Sequence, residues 1–125
     1  MATIVDIDDT LLRNGTQPIQ RTINYIKTLK GPIYIVTGRS PKQRAETVRA
    51  LRAAGIRYSA LYMNPGRMSD NEYKGEMGKK LKARGVTLAI ENNPDARAAY
   101  SRAGLQTKDP AKLPDMKKFW AVTDQ

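Results

Sequence analysis

Two carboxylates stand two residues apart directly after the first apolar segment of the chain. Asp6 and Asp8 follow Thr3–Val5 in the run Asp6-Ile7-Asp8-Asp9-Thr10. Alternate residues of a strand point to the same side, so both side chains can share one side. Carboxylates this close repel each other unless a cation neutralises them or one takes a proton. Such a pair can hold a hard divalent metal or supply a nucleophile beside a proton-transfer group; an acidic loop that merely ends the strand is the alternative.

The amino-acid composition limits which residue types can carry out this chemistry. The 125 residues contain no histidine and no cysteine. Their absence excludes disulfide-linked partners, thiolate zinc sites and a cysteine nucleophile, and it removes the usual general base. Acid–base chemistry must then fall to carboxylates, lysine or tyrosine. A metal site would be rich in oxygen ligands, which favours Mg²⁺, Ca²⁺ or Mn²⁺.

Further polar clusters follow apolar segments later in the chain. They are Thr37-Gly38-Arg39 after Ile33–Val36, the loop from Asn64 towards Lys74 after Met63, and Glu91-Asn92 after Leu88–Ile90. In open α/β sheets, ligands bind beyond the carboxyl ends of the strands. The order of the clusters therefore predicts that they meet Asp6 at one edge of a sheet.

Short apolar segments alternate with helical ones along the chain. We predict strands at 3–7, 33–37, 60–63 and 86–90, a weaker fifth at 105–107, and helices at 18–30, 41–54, 71–84 and 94–103. Pro18, Pro41 and Pro94 suit first helical positions, while Asp70 and Asn93 suit helix N-caps. The alternation predicts an α/β fold, namely a single Rossmann-like three-layer domain with a central parallel sheet of about five strands.

The length allows one domain and one core. We assign residues 1–107 to that core and 108–125 to a C-terminal extension that packs on it or is partly flexible, with Phe119 and Trp120 as candidate anchors. The apolar runs are far too short to span a membrane, and no basic segment leads into a signal region. We therefore expect a cytoplasmic protein without a membrane partner.

The net charge of +10 is large for 125 residues. Basic residues are densest at 42–57, 74–84 and 117–118. They are consistent with solvated helix faces or with attraction to a polyanion such as nucleic acid, and both readings stay open. Arg13, Arg39 and Arg67 are candidates for steering a polyanion, or ordinary surface arginines.

The motifs at the strand ends resemble those of the haloacid dehalogenase-like superfamily over nearly the whole chain. Its DxDxT motif is matched by Asp6–Thr10, the Ser or Thr ending its next strand by Thr37, and its later basic residue by Lys74. The resemblance implies that Asp6 attacks phosphorus and forms an aspartyl-phosphate. Asp8 would then be the general acid and base, while Thr37 and Lys74 would bind phosphoryl oxygens. Thr10, Gly38 and Arg39 are the expected substrate-binding residues.

The fourth motif departs from the family pattern. The family usually carries aspartates there, whereas this chain has Glu91 and Asn92. The resemblance implies Mg²⁺, or Mn²⁺ as an alternative, held by Asp6 and Asp8 with Glu91 and Asn92. Asparagine removes a charge and glutamate is longer, so we expect weaker binding of a cation that demands near-ideal geometry. A non-catalytic descendant is the alternative.

The absence of a cap domain suggests which class of substrate the site accepts. Residues 12–18 and 55–60 leave no room for the cap domain that many members carry, so we expect an open site without a cap. The segment from Tyr62 to Gly104 resembles the phosphatase domain of phage-type polynucleotide kinase-phosphatases. We thus predict a magnesium-dependent phosphatase, a phosphoric monoester hydrolase acting on nucleic-acid or nucleotide phosphate ends. The alternatives are a small-molecule nucleotide or sugar phosphatase, and a catalytically impaired nucleic-acid-binding protein.

Overall fold

The computed structural model of the protein describes residues 1–116. Five parallel strands form the central sheet, namely β1 (Ala2–Val5), β4 (Ile33–Thr37), β5 (Ala60–Met63), β6 (Val86–Ile90) and β7 (Gln106–Lys108). Their order across the sheet is β5-β4-β1-β6-β7. The remaining two, β2 (Leu12–Arg13) and β3 (Gln17–Pro18), pair as a small antiparallel hairpin between β1 and the first helix.

Four helices cover the two faces of the sheet. They are α1 (Gln20–Lys27), α2 (Arg44–Ala53), α3 (Asp70–Lys82) and α4 (Pro94–Arg102). Side chains of α1 and α2 pack in one hydrophobic cluster, and side chains of α3 and α4 pack in a second one. The predicted α/β three-layer domain with a five-stranded parallel sheet is confirmed. Among residues 1–116, the β2–β3 hairpin is the largest insertion between β1 and α1, and no helix is long and apolar enough to cross a membrane.

Several element boundaries differ from the sequence predictions. Pro18 does not begin a helix: it pairs with Leu12 in the hairpin, and α1 starts at Gln20 without a side-chain cap. The first strand ends at Val5 because the chain turns sharply afterwards. Ser69, and not Asp70, caps α3, because its hydroxyl oxygen accepts from the backbone N–H of Glu72 at 3.3 Å. The predicted cap at Asn93 is confirmed, since its side-chain oxygen accepts from the backbone of Asp95 and Ala96.

The first part of the C-terminal extension contacts the body of the domain. Leu113 is buried in the same hydrophobic cluster as Ile23 and Ile26 of α1. Arg21 of α1 donates a hydrogen bond to the backbone oxygen of Ala111 at 3.3 Å. Residues 117–125, with the candidate anchors Phe119 and Trp120, lie outside the described residues.

Candidate active site

Asp6 lies where β1 ends and the chain reverses. Its backbone N–H donates to the carbonyl oxygen of Ile90 at the end of β6, at 3.0 Å. The carbonyl oxygen of Ile7 then accepts hydrogen bonds from three backbone N–H groups, those of residues 10, 11 and 12. Asp9 adopts a left-handed conformation with φ of 63°, which aspartate tolerates better than most residues. Because of this tight turn, the Asp6 side chain is buried at the carboxyl ends of β1 and β6, and only 3% of the residue is exposed.

Both oxygens of the Asp6 carboxylate accept hydrogen bonds. Lys74 donates to Oδ1 at 3.0 Å and the Thr10 hydroxyl donates to Oδ2 at 2.9 Å. Lys74 also donates to Oε1 of Glu91 at 2.7 Å. The other oxygen of Glu91 accepts from the backbone N–H of Asn93 at 3.0 Å, and Glu91 is fully buried. One lysine thus bridges two buried carboxylates.

This arrangement perturbs the titration of Asp6. Burial, reinforced by the charge of Glu91, raises the pKa of Asp6 to about 7, although Lys74 acts in the opposite direction. Burial would lower the pKa of Lys74, but the charges and hydrogen bonds of Asp6 and Glu91 outweigh it, so that pKa lies above its ordinary value. The cluster of two carboxylates and one ammonium carries surplus negative charge, and a cation bound close to Asp6 would neutralise it.

Asp8 has a different environment from Asp6. Its side chain is 54% exposed and makes a bidentate ion pair with Arg39, with Nη2 at 2.7 Å from Oδ1 and Nε at 3.1 Å from Oδ2. Arg39 is itself held by Nη1, which donates to the hydroxyl of Thr47 at 3.0 Å. The guanidinium therefore sits in a fixed orientation at the mouth of the cleft, where a planar fork suits a carboxylate or a phosphate.

Thr37 and Gly38 form the end of β4 beside this cleft. Thr37 is fully buried, and its Oγ1 accepts from the backbone N–H of Arg39 at 3.1 Å. A side chain at Gly38 would overlap the carboxylate of Asp70, which lies across it. A larger residue at this position would therefore force the Asp70 carboxylate to move, although the backbone angle of Gly38 is not unusual.

The site residues meet in an open cleft of about 390 Å³. It is lined by Asp6, Asp8, Gly38, Arg39, Asp70, Lys74, Glu91, Asn92 and Asn93. Thr10 and Thr37 are buried beside it, whereas the exposed Arg13 and Arg67 do not line it. A larger cavity of about 620 Å³ lies at the other end of the sheet, between α1 and residues 55–59, and no acidic residue lines it.

Sequence reasoning missed Asp70 as a cleft residue. Its Oδ1 accepts from the side-chain amide of Asn64 at 2.8 Å, which holds the carboxylate towards Gly38. The sequence carried one usable signal, since Asp70 precedes Lys74 by four residues and such pairs share a helix face. Interpreting it as a helix cap concealed that relation.

The donors available to a metal are oxygen atoms. Among residues 1–116, no three acidic or histidine side chains converge to hold a metal ion on their own. Asp6, Asp8 and Asn92 line the cleft. The Thr10 hydroxyl, which donates to Asp6, also lies 3.4 Å from the side-chain oxygen of Asn92, so Asn92 is close to Asp6. The Asp6 carboxylate, the backbone carbonyl of Asp8 and the Asn92 amide oxygen suit a hard cation such as Mg²⁺. Glu91 is the weakest candidate ligand, because Lys74 and Asn93 already occupy its oxygens.

Comparison with known proteins places this geometry in context. The haloacid dehalogenase-like hydrolase family matches residues 3–90. Two solved structures of Pnkp1/Rnl/Hen1 complexes, one described as an RNA repair complex, are similar in fold, with TM-scores of 0.66 and 0.69 at 22% and 21% identity. Each match covers 86% of this chain but only 41% and 45% of the other, so the chain spans less than half the length of either. No curated protein matches it.

Proposed function

Because the chain belongs to the haloacid dehalogenase-like hydrolases, we propose that it is a metal-dependent phosphatase that forms a phosphoenzyme on Asp6. One observation carries the proposal: the Asp6 carboxylate is buried between Lys74 and Thr10, at the floor of an open cleft. These contacts orient one carboxylate towards incoming substrate. Phosphoryl transfer depends chiefly on such positioning and on charge neutralisation.

The charge of the cleft supports a requirement for a metal. Four carboxylates line it, namely Asp6, Asp8, Asp70 and Glu91, against two cations, Arg39 and Lys74. A phosphate group would meet net repulsion there. We propose that the Asp6 carboxylate, the Asp8 backbone carbonyl and the Asn92 amide oxygen hold Mg²⁺ or Mn²⁺, and that Glu91 instead orients Lys74. When bound, the metal would neutralise charge on the transferring phosphoryl group.

In the first step, an oxygen of Asp6 forms a bond to phosphorus as the bond from phosphorus to the leaving oxygen breaks. Asp8 donates a proton to that leaving oxygen. Asp8 is paired with Arg39 at 2.7 Å, so its carboxyl group must first separate from the guanidinium to act on the leaving oxygen. A phosphate group competes for the same planar fork, and Arg39 can exchange the Asp8 carboxylate for a phosphoryl oxygen.

In the second step, water attacks the aspartyl-phosphate. Asp8 accepts the proton of that water, the bond between phosphorus and Asp6 breaks, and inorganic phosphate leaves. Lys74, which lies 3.0 Å from Asp6, offsets charge at the carboxylate, while Thr37 and Gly38 supply a hydroxyl and a backbone N–H for phosphoryl oxygens. Thr10 keeps Asp6 oriented throughout.

The substrate that we propose is a phosphate on a nucleic-acid or nucleotide end, with a 3′-phosphate as the first choice. The cleft is open, so a bulky substrate can reach Asp6 and its own atoms can exclude water. The RNA repair complex to which the fold is similar makes nucleic acid a reasonable class to test first.

The test compares 3′-phosphorylated and 5′-phosphorylated oligonucleotides, free nucleotides and an aryl phosphate, each with Mg²⁺, Mn²⁺ or EDTA. We expect metal-dependent phosphate release that Asp6→Asn abolishes. Asp9→Asn is the matched control, because Asp9 is an exposed aspartate of the same turn and asparagine tolerates its backbone conformation.

The outcomes separate the alternatives. Faster turnover of mononucleotides or sugar phosphates than of oligonucleotide ends would indicate a small-molecule phosphatase. Inactivity with both metals, together with salt-sensitive nucleic-acid binding that survives Asp6→Asn, would indicate a catalytically impaired binding protein. Equal loss of activity in Asp6→Asn and Asp9→Asn would remove Asp6 from its proposed role.

A further inference from the structure

Ten basic residues that the cleft does not use lie at the opposite end of the sheet. Each helix runs back from the carboxyl edge of the sheet, so the ends of all four helices and the loops after them lie at the amino edge. We call this surface the basic end and define it by ten residues. They are Lys27, Lys30, Arg49, Arg52, Arg57, Lys79, Lys80, Lys82, Arg84 and Arg102.

Backbone contacts show that the loops of the basic end meet in space. The N–H of Ala2 donates to the carbonyl oxygen of Gly85 at 3.2 Å, and the N–H of Thr3 donates to that of Pro32 at 3.0 Å. These bonds join the loops after α3 and α1 across the start of β1. The side chain of Lys82 lies against Gly104 in the loop after α4, so this loop belongs to the same surface.

The charge of this surface is of one sign. All ten side chains belong to exposed residues. The stretches that carry them, 27–33, 49–60, 79–87 and 101–106, contain no aspartate or glutamate. Among residues 1–116, the one ion pair made by the ten links Lys79 to Glu76 at 3.5 Å. Ten of the 22 lysines and arginines in the sequence therefore share one end, while the acidic cleft lies at the other.

Local helix stability accounts for only part of this concentration. A cation in the last turn of a helix gains roughly 0.3–1 kcal/mol from the helix dipole. That reason covers Lys27, Arg52 and Arg102 and the three lysines of α3, namely Lys79, Lys80 and Lys82. Lys30 and Arg57 lie beyond their helices, where the effect has faded, and like charges held together repel one another.

We propose that the basic end is a second site that binds the phosphate backbone of nucleic acid without reading its sequence. Five strands at their usual spacing make this edge about 20 Å wide, enough to face about a dozen phosphate charges of a duplex. Exposed lysines and arginines with few acidic neighbours are the groups that bind a polyanion through release of its counterions. The site goes beyond the proposed phosphatase activity, because binding here needs neither a terminal phosphate nor Asp6.

The test measures binding of a fluorescent duplex of roughly 20 base pairs without terminal phosphates, long enough to cross the edge. Anisotropy titrations run from about 50 to about 300 mM salt, on the wild type and on the Asp6→Asn variant. The test variant combines Lys30→Gln, Arg57→Gln and Arg102→Gln, so that one substitution lies at or after the end of each of three helices. The control variant combines Arg13→Gln, Lys42→Gln and Arg67→Gln, which removes the same charge near the cleft end.

We expect the test variant to lose affinity by about 10-fold or more, and its log–log slope against salt to fall by about 2–3. The control variant and Asp6→Asn should bind within about 3-fold of the wild type, which is small beside that loss. Unchanged hydrolysis of an aryl phosphate by the test variant would show that it is folded, and circular dichroism would serve if the wild type were inactive.

Three results would overturn the proposal. The first is absence of duplex binding even at low salt. The second is a larger loss in the control variant, which would place the backbone over the cleft. The third is binding of anionic lipid vesicles that depends on the basic end while binding of the duplex does not. None of these results bears on the role of Asp6 in hydrolysis.

Discussion

Replacing Asp6 by asparagine should stabilise the metal-free protein while it abolishes catalysis. Asparagine has nearly the same shape, and its amide oxygen can still accept a hydrogen bond from Lys74 or Thr10. The substitution also removes the like charge that faces Glu91. Lys74 keeps Glu91 as a partner at 2.7 Å, so no buried charge is left unpaired.

The magnitude follows from the pKa of Asp6, which rises from 3.8 to about 7 on folding, chiefly through burial and then through Glu91. A shift of about three units corresponds to about 4 kcal/mol. Because the folded-state pKa is raised, the contribution of Asp6 to stability is full below about pH 4 and is lost as the pH rises to about 7. We expect about 2 kcal/mol in practice, since water entry and relaxation reduce the cost of a buried charge.

The assay is urea or thermal unfolding in EDTA at about pH 4.5 and about pH 8, on either side of most of this titration. Asp6→Asn should exceed the wild type by about 2 kcal/mol at the higher pH, or by several degrees in Tm, and should match it at the lower one. Asp9→Asn, an exposed control in the same turn, should show no such pH-dependent gain. Added Mg²⁺ should stabilise the wild type more than the variant and narrow the gap.

The reasoning fails if Asp6→Asn is equally or less stable than the wild type at the higher pH. That result would mean that Lys74 fully compensates the Asp6 charge and that the carboxylate stays ionised at little cost. A gain of the same size at both pH values would also contradict it, because the effect would then not arise from ionisation.

Three further predictions follow from other contacts. Gly38→Ala should lower phosphatase kcat/KM by about 10-fold or more in steady-state assays, because the added Cβ meets the Asp70 carboxylate. The double variant with Asp70→Ala should recover part of that loss. Glu91→Ala should lower the free energy of unfolding by about 3 kcal/mol in urea titrations, since it leaves a cavity at a fully buried position and removes the acceptor of the Asn93 N–H, although Lys74 keeps Asp6. Leu113→Ala should cost about 2–3 kcal/mol in the same titrations if the extension stabilises the core, whereas a loss under about 0.5 kcal/mol would show that it does not.

Local signals in the sequence were enough to predict the fold. Apolar runs bounded by glycine and proline located three of the five central strands with their bounds as the structure has them, at 33–37, 60–63 and 86–90. The order of strands and helices then implied a parallel sheet whose carboxyl ends share one edge. That edge does bring Asp6, Arg39 and Lys74 together in one cleft, although their roles stay predictions.

The environments of the two carboxylates were decided by tertiary structure alone. Spacing placed Asp6 and Asp8 on one side of an extended segment, but the turn after β1 buries the first and exposes the second. Their partners come from 68 residues away in Lys74 and 31 residues away in Arg39. No local sequence pattern indicates these two long-range pairs, because they depend on how α3 and the end of β4 pack against β1.

The same limit applies to Glu91 and to the net charge. As a sequence position, Glu91 suggested a metal ligand, whereas packing gives its oxygens to Lys74 and Asn93. The charge of +10 was consistent with solvated helix faces or with attraction to a polyanion, and it did not indicate where the charge lies; the fold gathers ten basic side chains at the end opposite the cleft. Composition determines how much charge a protein carries, but only the direction in which its helices run determines which end of the sheet carries it.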